Sequence, residues 1–253
     1  MHTNRTRALA FGGIAEQYDR ARPSYPSELV DTLMAWAPHD VLDVGCGTGK
    51  ASRLLIDRGC TVLGVEPDPS MAAIARSHGV TVEDATFEAW DPRNRLFDLV
   101  MSGQAWHWVE PVAGAAKAAA VLRPGGHLAV FWNRGRNDPD IGTALDAVYE
   151  RLAPSLATPA KDLRPGMRAT DERAEVIRQS AQFSDIQTRT FDWDTSYDRV
   201  EWIDFISSHS DHVVLPDARR AALLEAIGDV IEDFGGAVTY HFSTLLFFAI
   251  RRG

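Results

Sequence analysis

Residues 41–50 read Val41-Leu42-Asp43-Val44-Gly45-Cys46-Gly47-Thr48-Gly49-Lys50, an apolar strand that runs into three glycines. Glycines at a strand-to-helix turn let the backbone approach a ligand closely, because they carry no Cβ. In an open α/β sheet such a loop lies at the carboxyl edge of the strands, where ligands bind. The stretch therefore predicts an α/β fold with a nucleotide-like cofactor at the glycine loop.

The spacing of these glycines separates the candidate cofactors. A dinucleotide fingerprint would place its third glycine at position 50, which is Lys50, and the sequence instead reads G-x-G-x-G. A phosphate-binding run of the form G-x-x-x-x-G-K-[ST] is absent from the sequence. Asp43, two residues before the first glycine, favours a cofactor with a cationic end and disfavours a pyrophosphate.

Strand and helix patterns extend this prediction along the chain. Apolar runs alternate with stretches of helical period as far as residue 132, which is typical of a parallel sheet. The strands predicted there are 41–44, 61–65, 80–83, 97–102 and 127–132. Beyond residue 133 we predict helices at 141–152 and 171–182, strands at 183–195 and 238–250, and two helices between those strands.

The whole pattern predicts one doubly wound, Rossmann-like sheet of seven strands in a single domain, 1–253. We divide this domain into an N-terminal lid arm (11–35), a cofactor-binding core (36–133) and a C-terminal half (134–253). The C-terminal half includes a helical cap at about 197–235.

Composition and charge exclude several classes of function. The chain has 253 residues, 45% of them hydrophobic, which is enough for one large core. The 35 acidic residues exceed the 26 basic ones, and the net charge of -9 disfavours nucleic acid as a partner. Two cysteines without metal-ligand spacing, and no long apolar stretch, predict a cytoplasmic protein that neither spans a membrane nor binds a metal.

The glycine loop resembles the first motif of class I S-adenosylmethionine-dependent methyltransferases. Two further stretches resemble the small-molecule branch that includes trans-aconitate carboxyl methyltransferases. One is Gln104-Ala105-Trp106-His107-Trp108, and the other is the Tyr18-Asp19-x-x-Arg22-Pro23-x-Tyr25-Pro26 segment of the arm. The resemblance covers about residues 11–133 well and is loose beyond them.

This resemblance implies a binding site for S-adenosylmethionine and its product S-adenosylhomocysteine. The glycines would pack against the methionine and ribose portions, Asp43 would assist the ammonium, and Glu66 would accept from the ribose hydroxyls. Asp84 would accept from the adenine amine, and Met71 would pack on the adenine face. The full cofactor set is Asp43, Gly45, Cys46, Gly47, Thr48, Gly49, Glu66, Pro67, Met71, Asp84, Ala85 and Ser102, with Tyr18, Arg22 and Tyr25 as a lid.

The substrate side is expected at the carboxyl end of the fourth strand. We predict Gln104 and His107 as catalytic residues and Trp106, Trp108, Asn133 and Arg134 as substrate contacts. A carboxylate acceptor is already ionised and needs cationic or donor groups to position it, for which the candidates are Arg22, His107, Asn133, Arg134 and Arg136. A hydroxyl acceptor would use His107 as a general base.

The predicted function is methyl transfer to a small organic molecule at a carboxylate or hydroxyl oxygen. Methylation at nitrogen or carbon is the alternative within the same class. A non-catalytic regulatory protein that binds S-adenosylmethionine is an alternative of another class, and a dinucleotide oxidoreductase ranks third. The sequence leaves open whether the protein is a monomer or a homodimer.

Overall fold

The computed structural model describes residues 15–157, 174–213 and 215–253. They divide into two compact units. We call residues 24–133, 174–191 and 244–253 the core unit, and residues 15–23, 134–157, 192–213 and 215–243 the helical unit. Residues 11–14 of the predicted arm and 171–173 of a predicted helix lie outside the described part. The predicted division at residues 35 and 133 stays a prediction.

The described elements alternate between helix and strand through the first half of the chain. In order they are α1 (Ala15–Ala21), α2 (Ser27–Met34), β1 (Asp40–Val44), α3 (Lys50–Ile56), β2 (Thr61–Glu66), α4 (Pro69–Ser77), β3 (Thr81–Asp84), β4 (Phe97–Gly103), a 3₁₀ turn (Trp106–Trp108), α5 (Pro111–Val121), β5 (Leu122–Asn137), α6 (Pro139–Leu152), β6 (Phe183–Asp198), α7 (Arg199–Ser207), α8 (Ser210–Val213), α9 (Asp217–Asp233) and β7 (Ala237–Arg251).

The strands form one seven-stranded sheet in the order β3-β2-β1-β4-β5-β7-β6, which confirms the predicted fold class. Strands β3, β2, β1, β4 and β5 pair in parallel with their neighbours. Val41 pairs with Val62 and with Leu99, so the carboxyl ends of β1, β2 and β4 lie along one edge. The glycine loop follows β1 at that edge.

The core unit covers both faces of its part of the sheet. Successive strand residues point to opposite faces, and they belong to separate apolar clusters. Leu42 and Val100 belong to one cluster, and Val41, Leu99 and Met101 belong to the other. Strands buried on both faces read as continuous apolar runs, which is why the sequence pattern found them.

The helical unit has an apolar cluster of its own. Most of its buried members come from α6, α7, α9 and the first half of β7, and they include Leu145, Trp202, Ile227 and Tyr240. Asp198 and Glu201 form a capping box at the start of α7, so two backbone donors are satisfied there. The range predicted as a cap, 197–235, contains α7, α8 and α9, and its role as a cap stays a prediction. None of the described helices combines the length and apolar character that crossing a membrane requires.

Two elements differ from the sequence prediction. Strand β5 runs from Leu122 to Asn137 instead of 127–132, because the chain is extended through Arg123 and Pro124 immediately after α5 ends. Of the helix predicted at 171–182, residues 174–179 are helical and residues 180–182 are not.

Candidate functional site

The glycine loop is held from within the core unit and open on its outer side. Gly45 donates its backbone N–H to the Val65 carbonyl at 2.8 Å, and Gly47 donates to a Glu66 carboxylate oxygen at 2.9 Å. Gly47 has φ 55°, and a Cβ there would meet nothing within 4 Å. Gly45 has φ 68°, and a Cβ there would lie 2.5 Å from the Ala105 Cβ. The loop therefore presents bare backbone at Gly47, where a ligand can approach.

Asp43 and Thr48 bring unsatisfied polar atoms into this loop. Asp43 is 1% exposed, and its Oδ2 accepts a hydrogen bond from the Ser52 hydroxyl at 2.7 Å. Its Oδ1 and the hydroxyl of Thr48 are both buried without a hydrogen-bond partner in the described part of the chain. Burial raises the pKa of Asp43 to about 7, against the opposing effect of the Ser52 hydrogen bond. Buried polar atoms left without partners favour a polar ligand at this point.

Glu66 ends β2 and joins the loop to the next helix. One carboxylate oxygen accepts from Gly47 N–H, and the other accepts from Asp68 N–H at 2.9 Å. Burial raises the pKa of Glu66, while these two backbone donors lower it. Each carboxylate oxygen has further acceptor capacity, so Glu66 can accept from two neighbouring hydroxyls while its own position is fixed.

The residues predicted for adenine lie around β3 and α4. Asp84 pairs with Glu66 in the register of β3 and β2, and its Oδ1 accepts from Arg76 Nη2 at 2.6 Å. Met71 is 5% exposed on α4, whose N-cap is Asp68. Pro67 is exposed, and Ala85 donates its N–H to the Glu66 carbonyl at 3.2 Å. The core unit thus places Glu66 and Asp84 side by side at the sheet edge.

Two residues of the predicted cofactor set make contacts inside the protein. The Ser102 hydroxyl, fully buried, donates to the Val44 carbonyl at 2.7 Å and ties β4 to β1. Cys46 is buried, and a Cβ at Gly64 would lie 2.5 Å from its Sγ. Burial raises the pKa of the Cys46 thiol well above its usual value, which fits a space-filling residue and not a nucleophile.

Gln104, which follows β4, forms a polar network with Asn133 of β5. Gln104 has φ 61°, and its Nε2 donates to the Asn133 carbonyl at 3.2 Å. The Asn133 amide donates to the Ser24 carbonyl at 2.9 Å and accepts from the Thr244 hydroxyl at 2.7 Å. The side chain of Asn133, predicted as a substrate contact, is therefore engaged by the fold.

The predicted aromatic wall divides into core and surface. Trp106 is 1% exposed and packs against Phe87, with ring centroids 6.0 Å apart, whereas Trp108 is 43% exposed. The indole of Trp106 belongs to the hydrophobic core, and its predicted role as a substrate contact stays a prediction. The ring centroids of His107 and Trp108 are 4.6 Å apart. The His107 Nδ1 accepts a hydrogen bond from Trp132 Nε1 at 3.4 Å. An indole N–H can only donate, so neutral His107 carries its proton on Nε2.

The predicted lid residues belong to different units. Tyr25 lies in the core unit, edge-on to Phe131 with centroids 4.8 Å apart. Tyr18 and Arg22 lie in the helical unit, where the Arg22 guanidinium is 5.1 Å from the Tyr18 ring centroid. Arg22 donates to the Ser208 carbonyl at 3.2 Å, and its buried Nε has no partner within the described residues.

A cavity of about 320 Å³ in the helical unit contains the predicted arginines. Asp194 and Asp138 both bond the His241 ring, at 2.7 Å and 2.9 Å, and they raise its pKa. The cavity is lined by Arg134, Gly135, Arg136, Asp192, Asp194, His241, Phe242 and Ser243. Its strand β5 side is cationic and its β6 side is acidic.

The sequence analysis missed Ser52 and Arg76. The signal for Ser52 is a hydroxyl in the first turn of the helix that follows the glycine loop, where it meets the end of β1. Arg76 had no comparable signal, because its contact with Asp84 depends on how α4 packs on β3.

Comparisons with known proteins place the chain in a family. Residues 41–126 match the family described as a methyltransferase domain. An uncharacterized methyltransferase of Mycobacterium tuberculosis is 29% identical, covering 90% of this chain and 88% of that protein. A trans-aconitate 2-methyltransferase of Acidovorax ebreus is 29% identical, covering 83% and 85%. An uncharacterized methyltransferase of Anoxybacillus flavithermus is 30% identical, covering 57% of this chain and 72% of that protein.

A solved structure supports the same assignment at the level of the fold. A protein of Anaeromyxobacter dehalogenans that is assigned as a type II methyltransferase superposes with a TM-score of 0.63 at 22% identity, covering 90% of this chain and 97% of that one. The sequence relatives, the matched domain and the sheet order agree with one another. The chain therefore belongs to the class I S-adenosylmethionine-dependent methyltransferases.

Proposed function

We propose that this enzyme methylates a small organic molecule at oxygen, with a carboxylate as the acceptor. The observation that carries the choice of acceptor is the bond between Trp132 and His107. It leaves Nε2 of neutral His107 as a donor, which suits an anionic oxygen better than a hydroxyl that must lose a proton.

The residues of the core unit fit the cofactor. When bound, S-adenosylmethionine supplies a methyl group already activated on its sulfonium. Asp43 Oδ1, buried without a partner among the described residues, is the acceptor for the methionyl ammonium. Glu66 accepts from the ribose hydroxyls while Gly47 and Asp68 hold it in place. Gly47 gives the clearance over the loop, and Asp84 accepts from the adenine amine.

The acceptor requires orientation more than acid or base chemistry. A carboxylate is ionised at neutral pH, so the protein's task is to hold its oxygen in line at about 3 to 3.5 Å from the methyl carbon. Within the core unit the candidate to hold it is His107, and the roles of Arg22, Arg134 and Arg136 stay predictions from the sequence. The relative named trans-aconitate 2-methyltransferase supports a small carboxylic acid. The cytoplasmic location and the absence of a nucleic-acid partner stay predictions from composition.

The proposal is tested by methyl transfer from labelled S-adenosylmethionine into a metabolite extract, followed by mild base. Methyl esters release their label in base, so base-labile product is the expected result. Base-stable product contradicts the carboxylate proposal and points to nitrogen, carbon or ether oxygen. If no label is incorporated from any of a range of extracts although the protein binds S-adenosylhomocysteine tightly, the result would favour a binding protein without turnover.

A further inference from the structure

We propose that Arg76 is a positioning residue that orients Asp84 toward the adenine ring and thereby sets the preference for an adenine over a 6-oxo base. The inference rests on the proposed function, which gives Asp84 the exocyclic amine of the cofactor.

Arg76 connects the last turn of α4 to the end of β3. Its Nη2 donates to two acceptors, the Val82 carbonyl at 2.9 Å and Asp84 Oδ1 at 2.6 Å. One nitrogen of a rigid planar guanidinium thus fixes the strand backbone and the carboxylate together. Because Val82 and Asp84 are two residues apart on one strand, this contact defines the orientation of the Asp84 side chain relative to its own backbone.

The ion pair is too exposed to serve mainly as a source of stability. The side chains of Arg76 and Asp84 are 41% and 54% exposed. Pairs of this kind contribute little to the free energy of unfolding, since solvent screens them. The backbone of Asp84 is already fixed by its pairing with Glu66. Arg76 adds a fixed rotamer of the Asp84 side chain. Without Arg76 that rotamer would have to be selected on binding, at a cost in free energy.

The orientation has a chemical consequence for base recognition. With Oδ1 occupied by Arg76, the oxygen that Asp84 can present to a ligand is Oδ2, which forms no hydrogen bond or ion pair within the described residues. A carboxylate oxygen accepts from the adenine amine and repels the carbonyl oxygen of a 6-oxo purine. A fixed oxygen discriminates between these groups better than one that can rotate away.

The experiment compares the binding of S-adenosylhomocysteine with that of its deaminated analogue S-inosylhomocysteine by calorimetry. The variants are Arg76→Met, Arg76→Lys and Asp84→Asn. Arg58→Met is the matched control, because Arg58 forms a pair with Asp31 at 2.8 Å in the same unit with similar exposure. The ratio of two affinities is insensitive to the fraction of folded protein, so a modest loss of stability does not affect the readout.

Wild type should prefer the adenine compound by about tenfold or more, as expected for a hydrogen bond to a charged group. Asp84→Asn should abolish that preference, Arg76→Met should reduce it by about threefold or more, Arg76→Lys should restore part of it, and Arg58→Met should leave it unchanged. If Asp84→Asn loses the preference but Arg76→Met keeps it, the positioning role is wrong and the proposed cofactor site stands. If Asp84→Asn keeps the preference, both the positioning role and the adenine contact of Asp84 are wrong.

Discussion

The pH dependence of cofactor binding should report the ionisation of Asp43. Burial raises its pKa to about 7 in the unliganded protein. An ammonium bound to Oδ1 favours the ionised form, so protonated Asp43 must lose its proton on binding. From about pH 6 to about pH 7.5 the ionised fraction rises from roughly one tenth to roughly three quarters, and the affinity should rise about eightfold. Loss of the ligand's own ammonium proton reduces this to about sixfold if the pKa of that ammonium is near 8.

The assay is calorimetric titration with S-adenosylhomocysteine, which binds without turnover, at several pH values. Asp43→Asn cannot ionise, so its affinity should be weaker and independent of pH over the same range. Ser52→Ala removes the hydrogen bond that lowers the pKa of Asp43, so its midpoint should move to higher pH. Wild-type affinity that is constant from about pH 6 to about pH 7.5 would refute the assignment of Asp43 to the ammonium.

The same residue predicts a change in stability. The folded pKa of Asp43 lies above its unfolded value, so the folded protein binds the extra proton and stability is lost as pH rises through about 4 to 7. Urea unfolding without cofactor should show this loss, on the order of 4 kcal/mol at most, and Asp43→Asn should remove it. Asp43→Asn should therefore exceed wild type in stability at about pH 8 while binding the cofactor less well.

Two further predictions concern the glycine loop and the aromatic wall. Gly45→Ala adds a Cβ 2.5 Å from the Ala105 Cβ at positive φ, whereas Gly59, at φ 90°, has open space around it. Gly59→Ala should therefore lower the free energy of unfolding by about 1 kcal/mol through φ strain alone. Gly45→Ala should lower it by about 1 to 3 kcal/mol more, as measured by urea unfolding. Trp106→Ala should lower the free energy of unfolding by about 3 to 5 kcal/mol, because the indole is buried. Trp108→Ala, where the side chain is 43% exposed, should lower it by less than about 1 kcal/mol and should raise KM if Trp108 contacts the substrate. Equal losses of stability would contradict the division of the aromatic wall into core and surface.

The parts of the fold that the sequence predicted are those with local signals. Val41 and Leu42 on β1 and Leu99 to Met101 on β4 are apolar on both faces, so these strands were recognisable without knowledge of their neighbours. The glycines follow β1 directly and Glu66 ends β2, and parallel pairing then brings them to one edge. Their placement follows from chain order and the rules of parallel sheets.

The parts that the sequence did not predict depend on tertiary packing. Trp106 and Trp108 are two residues apart and equally aromatic, and only the packing of Phe87 against the first separates core from surface. Asn133 looks like a free polar group after a strand, but Ser24 and Thr244, more than 100 residues away along the chain, engage both ends of its amide. Which arginine meets Asp84 depends on helix placement in the same way.

The fit between Cys46 and Gly64 has an evolutionary consequence. The thiol occupies the space that any larger residue at position 64 would fill, and Gly64 lies on β2 beneath the glycine loop. Substitution at one position therefore changes what the other can accept, and the two should vary together among relatives: chains with alanine or valine at position 64 should carry glycine or alanine at position 46. A larger residue at position 64 alone would clash with the thiol, and a smaller residue at position 46 alone would leave unfilled space, so divergence at this point favours a paired step.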